Sequence, residues 1–67
     1  MEITFRRDLT RDEREKVRVF VGFYRGNATF IANSFLEITP KHHFSEQQFL
    51  KTLYTLNIPI QNVDATR

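Results

Sequence analysis

The side chains best suited to chemistry are few, and their spacing argues against catalysis. His42 and His43 are adjacent, with Glu46 three residues beyond. A metal site needs ligands that converge; neighbouring loop residues diverge, and no third strong ligand follows them. The pair reads as a polar loop ahead of a helix. Ser34 and Ser45 are the only serines, and no His backed by a carboxylate accompanies either, so a triad is not indicated. There is no Cys, which removes thiol nucleophiles, disulfides and Cys-based zinc sites together. Two Gly residues cannot build a phosphate-cradling loop. Asp12, Glu13 and Glu15 interleave with Arg11, Arg14 and Lys16, the pattern of a solvated helix face and not of a glycosidase pair. The expectation is a protein that is not an enzyme, with no cofactor and no metal.

Binding is the remaining chemistry. Seven of the ten basic residues fall in the first 25 positions: Arg6, Arg7, Arg11, Arg14, Lys16, Arg18 and Arg25. Glu2, Asp8, Asp12, Glu13 and Glu15 answer them, so the local excess equals the whole chain's +2. Contact of this region with phosphates and plain solvation of a charged face both fit that balance.

The elements that must position these groups are limited by size. Sixty-seven residues make one domain, and such a chain buries only about 60% of the surface its unfolded form exposes. Residues 2–7 alternate, with Ile3 and Phe5 opposite Glu2, Thr4 and Arg6, as in a half-buried strand. Thr10-Arg11-Asp12-Glu13 has capping-box spacing, and Val17, Phe20, Val21 and Tyr24 form an amphipathic stripe, predicting a helix over 11–25 that stops at Gly26. Ala28, Ile31, Phe35 and Ile38 also fall at helical spacing behind Asn27, predicting a second helix over 28–38 that ends at Thr39-Pro40. Ser45-Glu46-Gln47-Gln48 repeats the capping-box pattern, and Phe49, Leu50, Leu53 and Tyr54 predict a third helix over 46–57. An extended tail, 58–67, follows. The expected fold is mainly α with a short N-terminal strand, a three-helix, helix-turn-helix-like domain. The alternative is α+β: the β-rich run from Lys16 to Tyr24 becomes a strand, a hairpin turns through Arg25-Gly26-Asn27, and a small antiparallel sheet carries one C-terminal helix.

Two features point to association. A lone strand must pair with something, and Val19 and Phe23 form a second apolar edge on the first helix, away from its buried stripe. Val19, Phe20, Phe23, Tyr24 and Phe30 are therefore candidate protein-interface residues, and a homodimer is the expected state.

Gly26-Asn27-Ala28-Thr29-Phe30-Ile31-Ala32, behind a helix carrying Val17, Phe20 and Val21, resembles the Gly-Asn-x-Thr-x-x-Ala opening of Fis-type helix-turn-helix domains. Phe49-Leu50-x-x-Leu53-x-x-Leu56-x-Ile58 is similar to the apolar frame of that family's recognition helix. The resemblance implies DNA binding, with Gln47, Gln48 and Lys51 as base-edge candidates. The order strand, helix, Gly-containing turn, helix also resembles ribbon-helix-helix repressors, which implies a paired N-terminal strand presenting Thr4 and Arg6, with Glu2 beside them, to the major groove. Arg7, Arg11, Arg14 and Arg18 would join Arg6 in neutralising phosphates. The functional expectation is a small DNA-binding transcription regulator of phage or plasmid type, acting as a homodimer. The alternative is a protein-binding inhibitor, antitoxin or assembly subunit that docks through aromatic residues. No secretory h-region opens the chain, and Val19 to Leu36 is interrupted by Arg25, Asn27 and Asn33, so the expected compartment is the cytoplasm and no membrane partner is foreseen.

Overall fold

The segment 28–38 is not a helix. In the computed structural model, which describes residues 1–64, it is the heart of a β-hairpin: β2 (Gly26–Ala32) and β3 (Phe35–Pro40), joined by a two-residue turn at Asn33 and Ser34. Both periods fit this stretch, but only the alternating one puts Ala28, Phe30, Leu36 and Ile38 on the same side. A helix would have sent Phe30 and Leu36 to its polar face. Thr29, Ile31, Ile38 and Thr39 are β-branched, which also suits a pleated surface.

The full order is β1 (Glu2–Phe5), α1 (Arg11–Phe23), β2, β3, α2 (Glu46–Thr55) and β4 (Ile60–Asp64). The sheet runs β2-β3-β1-β4, each strand antiparallel to its neighbours. Since β3 lies between β1 and β2, those two are parallel to one another and α1 is their crossover. This is the split βαβ, ferredoxin-like topology. The domain is α+β with two helices, so the mainly α, three-helix reading and its helix-turn-helix are overturned. The α+β alternative also misplaced its parts: 16–23 is helical, and the hairpin turns at Asn33-Ser34, not at Arg25-Gly26-Asn27. β1 stops at Phe5 short of the expected residue 7, and α1 ends at Phe23 short of 25. The expected tail 58–67 pairs with β1 as β4, and its residues 65–67 lie outside the described residues.

The core lies between one face of the sheet and the two helices. Ile3, Phe5, Leu36, Ile38 and Ile60 from the strands meet Val17 and Val21 of α1 and Phe49 and Leu53 of α2. Burying side chains of this size is worth about 1.5–3 kcal/mol each relative to exposure, which offsets the conformational cost of ordering so short a chain.

Helix boundaries follow local chemistry to different degrees. The Thr10 hydroxyl accepts from the Glu13 amide, and the Glu13 carboxylate accepts from the Thr10 amide at 2.8 Å, a complete capping box. Ser45 makes no such side-chain bond at the start of α2. There the aromatic contact between Phe44 and Phe49, ring centres 6.0 Å apart, fixes the entry instead. Arg25, at φ 73°, is the left-handed residue that turns the chain out of α1. Gly26 answers a different need: a Cβ there would stand 2.9 Å from the Phe44 ring, so the strand approaches that ring only without a side chain.

Candidate docking surface

The residues expected to bind nucleic acid are dispersed over the molecule. Thr4 lies on the open face of the sheet, paired across strands with Phe35 and Asn62. Gln47, Gln48 and Lys51 are exposed on α2, on the opposite, helical side. Arg6 is exposed just beyond β1. Arg7 is engaged internally, its guanidinium donating two 2.8 Å bonds to the Glu13 carboxylate. That bidentate pair, with the Thr10 amide, lowers the Glu13 pKa from 4.5 to about 2 and raises that of Arg7. Arg11, Arg14 and Arg18 do stay together, at helical spacing on one flank of α1.

That flank overlooks β2. The Arg18 guanidinium carbon lies 5.4 Å from the centre of the Phe30 ring and pairs with Glu15 at 3.1 Å. An Arg14 nitrogen donates to the Leu9 carbonyl at 2.6 Å, and the Leu9 amide in turn donates to Asn33 at the hairpin turn. At the other end of α1, Val21 closes on Gly26. The helix therefore runs antiparallel to β2 along its whole length, with Arg14 at the Asn33 end and Arg18 beside Phe30.

The open face of the sheet has the opposite sign. Register sets Glu37 of β3 opposite Glu2 of β1, and Glu2 opposite Asp64 of β4, a cross-strand row of carboxylates. Thr29 of β2 continues the row beside Glu37. No group of three or more His, Asp or Glu placed to hold a metal occurs among the described residues.

The expected interface residues divide as well. Phe30 points inward, half-buried, and packs on Phe5 with ring centres 6.4 Å apart, so it is a core-margin residue and not a surface anchor. Phe20 and Tyr24 are half-buried, the Tyr24 hydroxyl sharing a 2.9 Å hydrogen bond with Thr52 of α2. Val19 and Phe23, by contrast, are 64% and 72% exposed. Phe23 meets Tyr24 edge to face at 5.0 Å, so the exposed ring is continuous with the half-buried aromatics. An open groove of about 500 Å³ follows α2 from Gln48 to Leu56, lined by Gln48, Lys51, Thr52, Thr55 and Leu56 and closed at one side by Tyr24.

Ile31, 59% exposed at the end of β2, is a surface residue that sequence reasoning missed. The strand alternation of 26–32 carried the signal, and the helical reading hid it. Fold and surface together define a small split βαβ domain with one apolar helix edge and one arginine-flanked strand edge. Comparison with protein-family models, with curated proteins and with solved structures finds no match to this chain. No helix among the described residues is long and apolar enough to cross a membrane. A fold of this kind hosts many functions, so function has to be argued from the surface.

Proposed function

We propose that the protein is a non-catalytic protein-binding module that works as a homodimer, docking through the outer side of α1. One observation carries this reading: Val19 and Phe23, one helical turn apart, are both mostly exposed, and the Phe23 ring meets Tyr24, which in turn stacks on Phe20. Apolar side chains of this size grouped on an otherwise charged helix lower their free energy by leaving water, and aromatics dominate the affinity of such contacts. The DNA-regulator reading draws less support. Its base-reading candidates lie on opposite sides of the sheet, Arg7 is held by Glu13, and the open face is acidic.

Sedimentation velocity over a wide concentration range tests the reading. The wild type is expected to populate a dimer and Phe23→Glu to remain a monomer with an unchanged circular dichroism spectrum. A wild type that stays monomeric at its highest soluble concentration overturns self-association through α1.

A further inference from the structure

We propose that the free edge of β2 accepts an extended acidic segment of another protein, which adds as a fifth strand with its carboxylates beneath the arginine flank of α1. This surface is separate from the outer side of α1 and stands on different observations.

Hydrogen-bond parity shows which backbone groups are available. The Lys41 amide donates to the Arg25 carbonyl, so 25 and 41 face each other at a hydrogen-bonding position, while the Ile38 amide, opposite Ala28, turns away from β2 to the Met1 carbonyl. In an antiparallel ladder such pairs alternate. Asn27 and Thr29 therefore bond to Thr39 and Glu37, while Ala28 and Phe30 turn their N–H and C=O groups outward. The strand offers an unpaired donor–acceptor array, the complement of another peptide backbone.

Natural sheets usually block such an edge with charge, Pro or a bulge. The sequence of β2, Gly-Asn-Ala-Thr-Phe-Ile-Ala, has neither charge nor Pro, and its ladder is regular up to Phe30. Its outward groups are open to a strand along most of their length.

Charge selects the occupant. Arg18, over Phe30, and Arg14, which also donates to the Leu9 carbonyl near Asn33, follow the edge on the helix side. Arg11 is on the same flank of α1, three residues before Arg14, and has no side-chain partner among the described residues. The Arg18–Glu15 pair is exposed, so an incoming carboxylate exchanges with Glu15 at little cost. Spacing agrees: four residues of helix advance about 6 Å. Two residues of strand advance about 6.7 Å. Alternate acidic side chains on one face of an added strand thus fall in step with Arg14 and Arg18. A second copy does not fit. Two-fold antiparallel pairing of β2 with itself keeps both α1 helices on one side and sets their arginine flanks against each other, a like-charge juxtaposition.

The test uses the full chain and a labelled heptapeptide of alternating Glu and Val, with its Lys-for-Glu twin as control. Anisotropy at low and moderate salt is expected to show binding of the acidic peptide only, weaker as salt rises. Arg11→Glu combined with Arg18→Glu should lower the affinity about tenfold or more, and the Lys twin should gain. Amide exchange at Ala28 and Phe30 should slow when the acidic peptide is present. Ala28→Pro, which removes an outward N–H only, should abolish binding. A peptide N-methylated at alternate residues gives the same readout should that variant fail to fold. Equal binding of the two peptides, protection appearing at β4 instead of β2, or equally tight arginine-dependent binding of a short DNA duplex would each overturn the proposal. Phe23→Glu should leave peptide binding intact, so failure here and failure of self-association through α1 are read separately.

Discussion

The two edges of this sheet are built differently. β4 enters through Pro59, carries a register shift where β1 passes from Thr4 to Phe5, and ends in Asp64. Each device discourages a further strand. β2 has none of them over its first five residues, where the arginine flank of α1 is the guard; its own register shift comes only after Phe30. A guard of one charge sign is selective: it repels a copy of itself and admits an acid. The contrast teaches that an edge can be closed sterically, as at β4, or conditionally, as at β2.

The largest perturbation expected to bear on this contrast is Leu36→Ala. Leu36 is fully buried on β3, opposite Ile3 on one side and Phe30 on the other. The truncation should cost about 2–5 kcal/mol in urea unfolding. Amides of β2 and β4 should lose protection together if the edges share one cooperative sheet; separate losses would mean that they are independently stable.

A smaller effect separates the helices behind the two edges. α1, above β2, is fixed by a complete capping box, whereas α2 begins at a Ser45 that makes no cap bond. Thr10→Ala should lower stability by about 1 kcal/mol and Ser45→Ala by less than about 0.5 kcal/mol. Equal losses from the two would erase the distinction.

The smallest effect is set by acid. Arg7, and after it the Thr10 amide, holds the Glu13 pKa at about 2 against 4.5 ordinarily. The folded chain therefore takes up this proton less readily than the unfolded one. The stabilisation is present in full above about pH 4.5 and fades as pH falls toward 2. Solvent access keeps it modest. Melting temperatures of wild type and Glu13→Gln should converge over that interval; a constant difference down to pH 2 would show that Glu13 acts by some other means.

Legibility in the sequence was uneven for identifiable reasons. The start of α1 is written locally, because a capping box needs only residues three apart. So is β1, whose alternation has no competing period. Residues 27–38 fit both the helical and the alternating template, and the β-branched residues within the segment favour the second only weakly. The deciding partners, Ile3 from β1 and Val17 and Val21 from α1, are distant in sequence. The same misreading scattered the candidate site. Phe30, an anchor candidate by sequence, lies under the Arg18 guanidinium, and the helical template places the exposed Ile31 on a buried stripe. Val19 and Phe23 were legible, since a surplus apolar edge on a charged helix shows in its own spacing.

The sequence by itself determined the capped start of α1, the alternation of β1 and the exposed Val19/Phe23 edge, all consequences of contacts within a few residues. Tertiary structure alone decided that 26–40 would pair as a hairpin, that β2 would be an outer strand, and that Arg14 and Arg18 would lie along it. The physical reason is that an edge is defined by what does not pair with it. Local periodicity holds no information about that until every other strand has found its place.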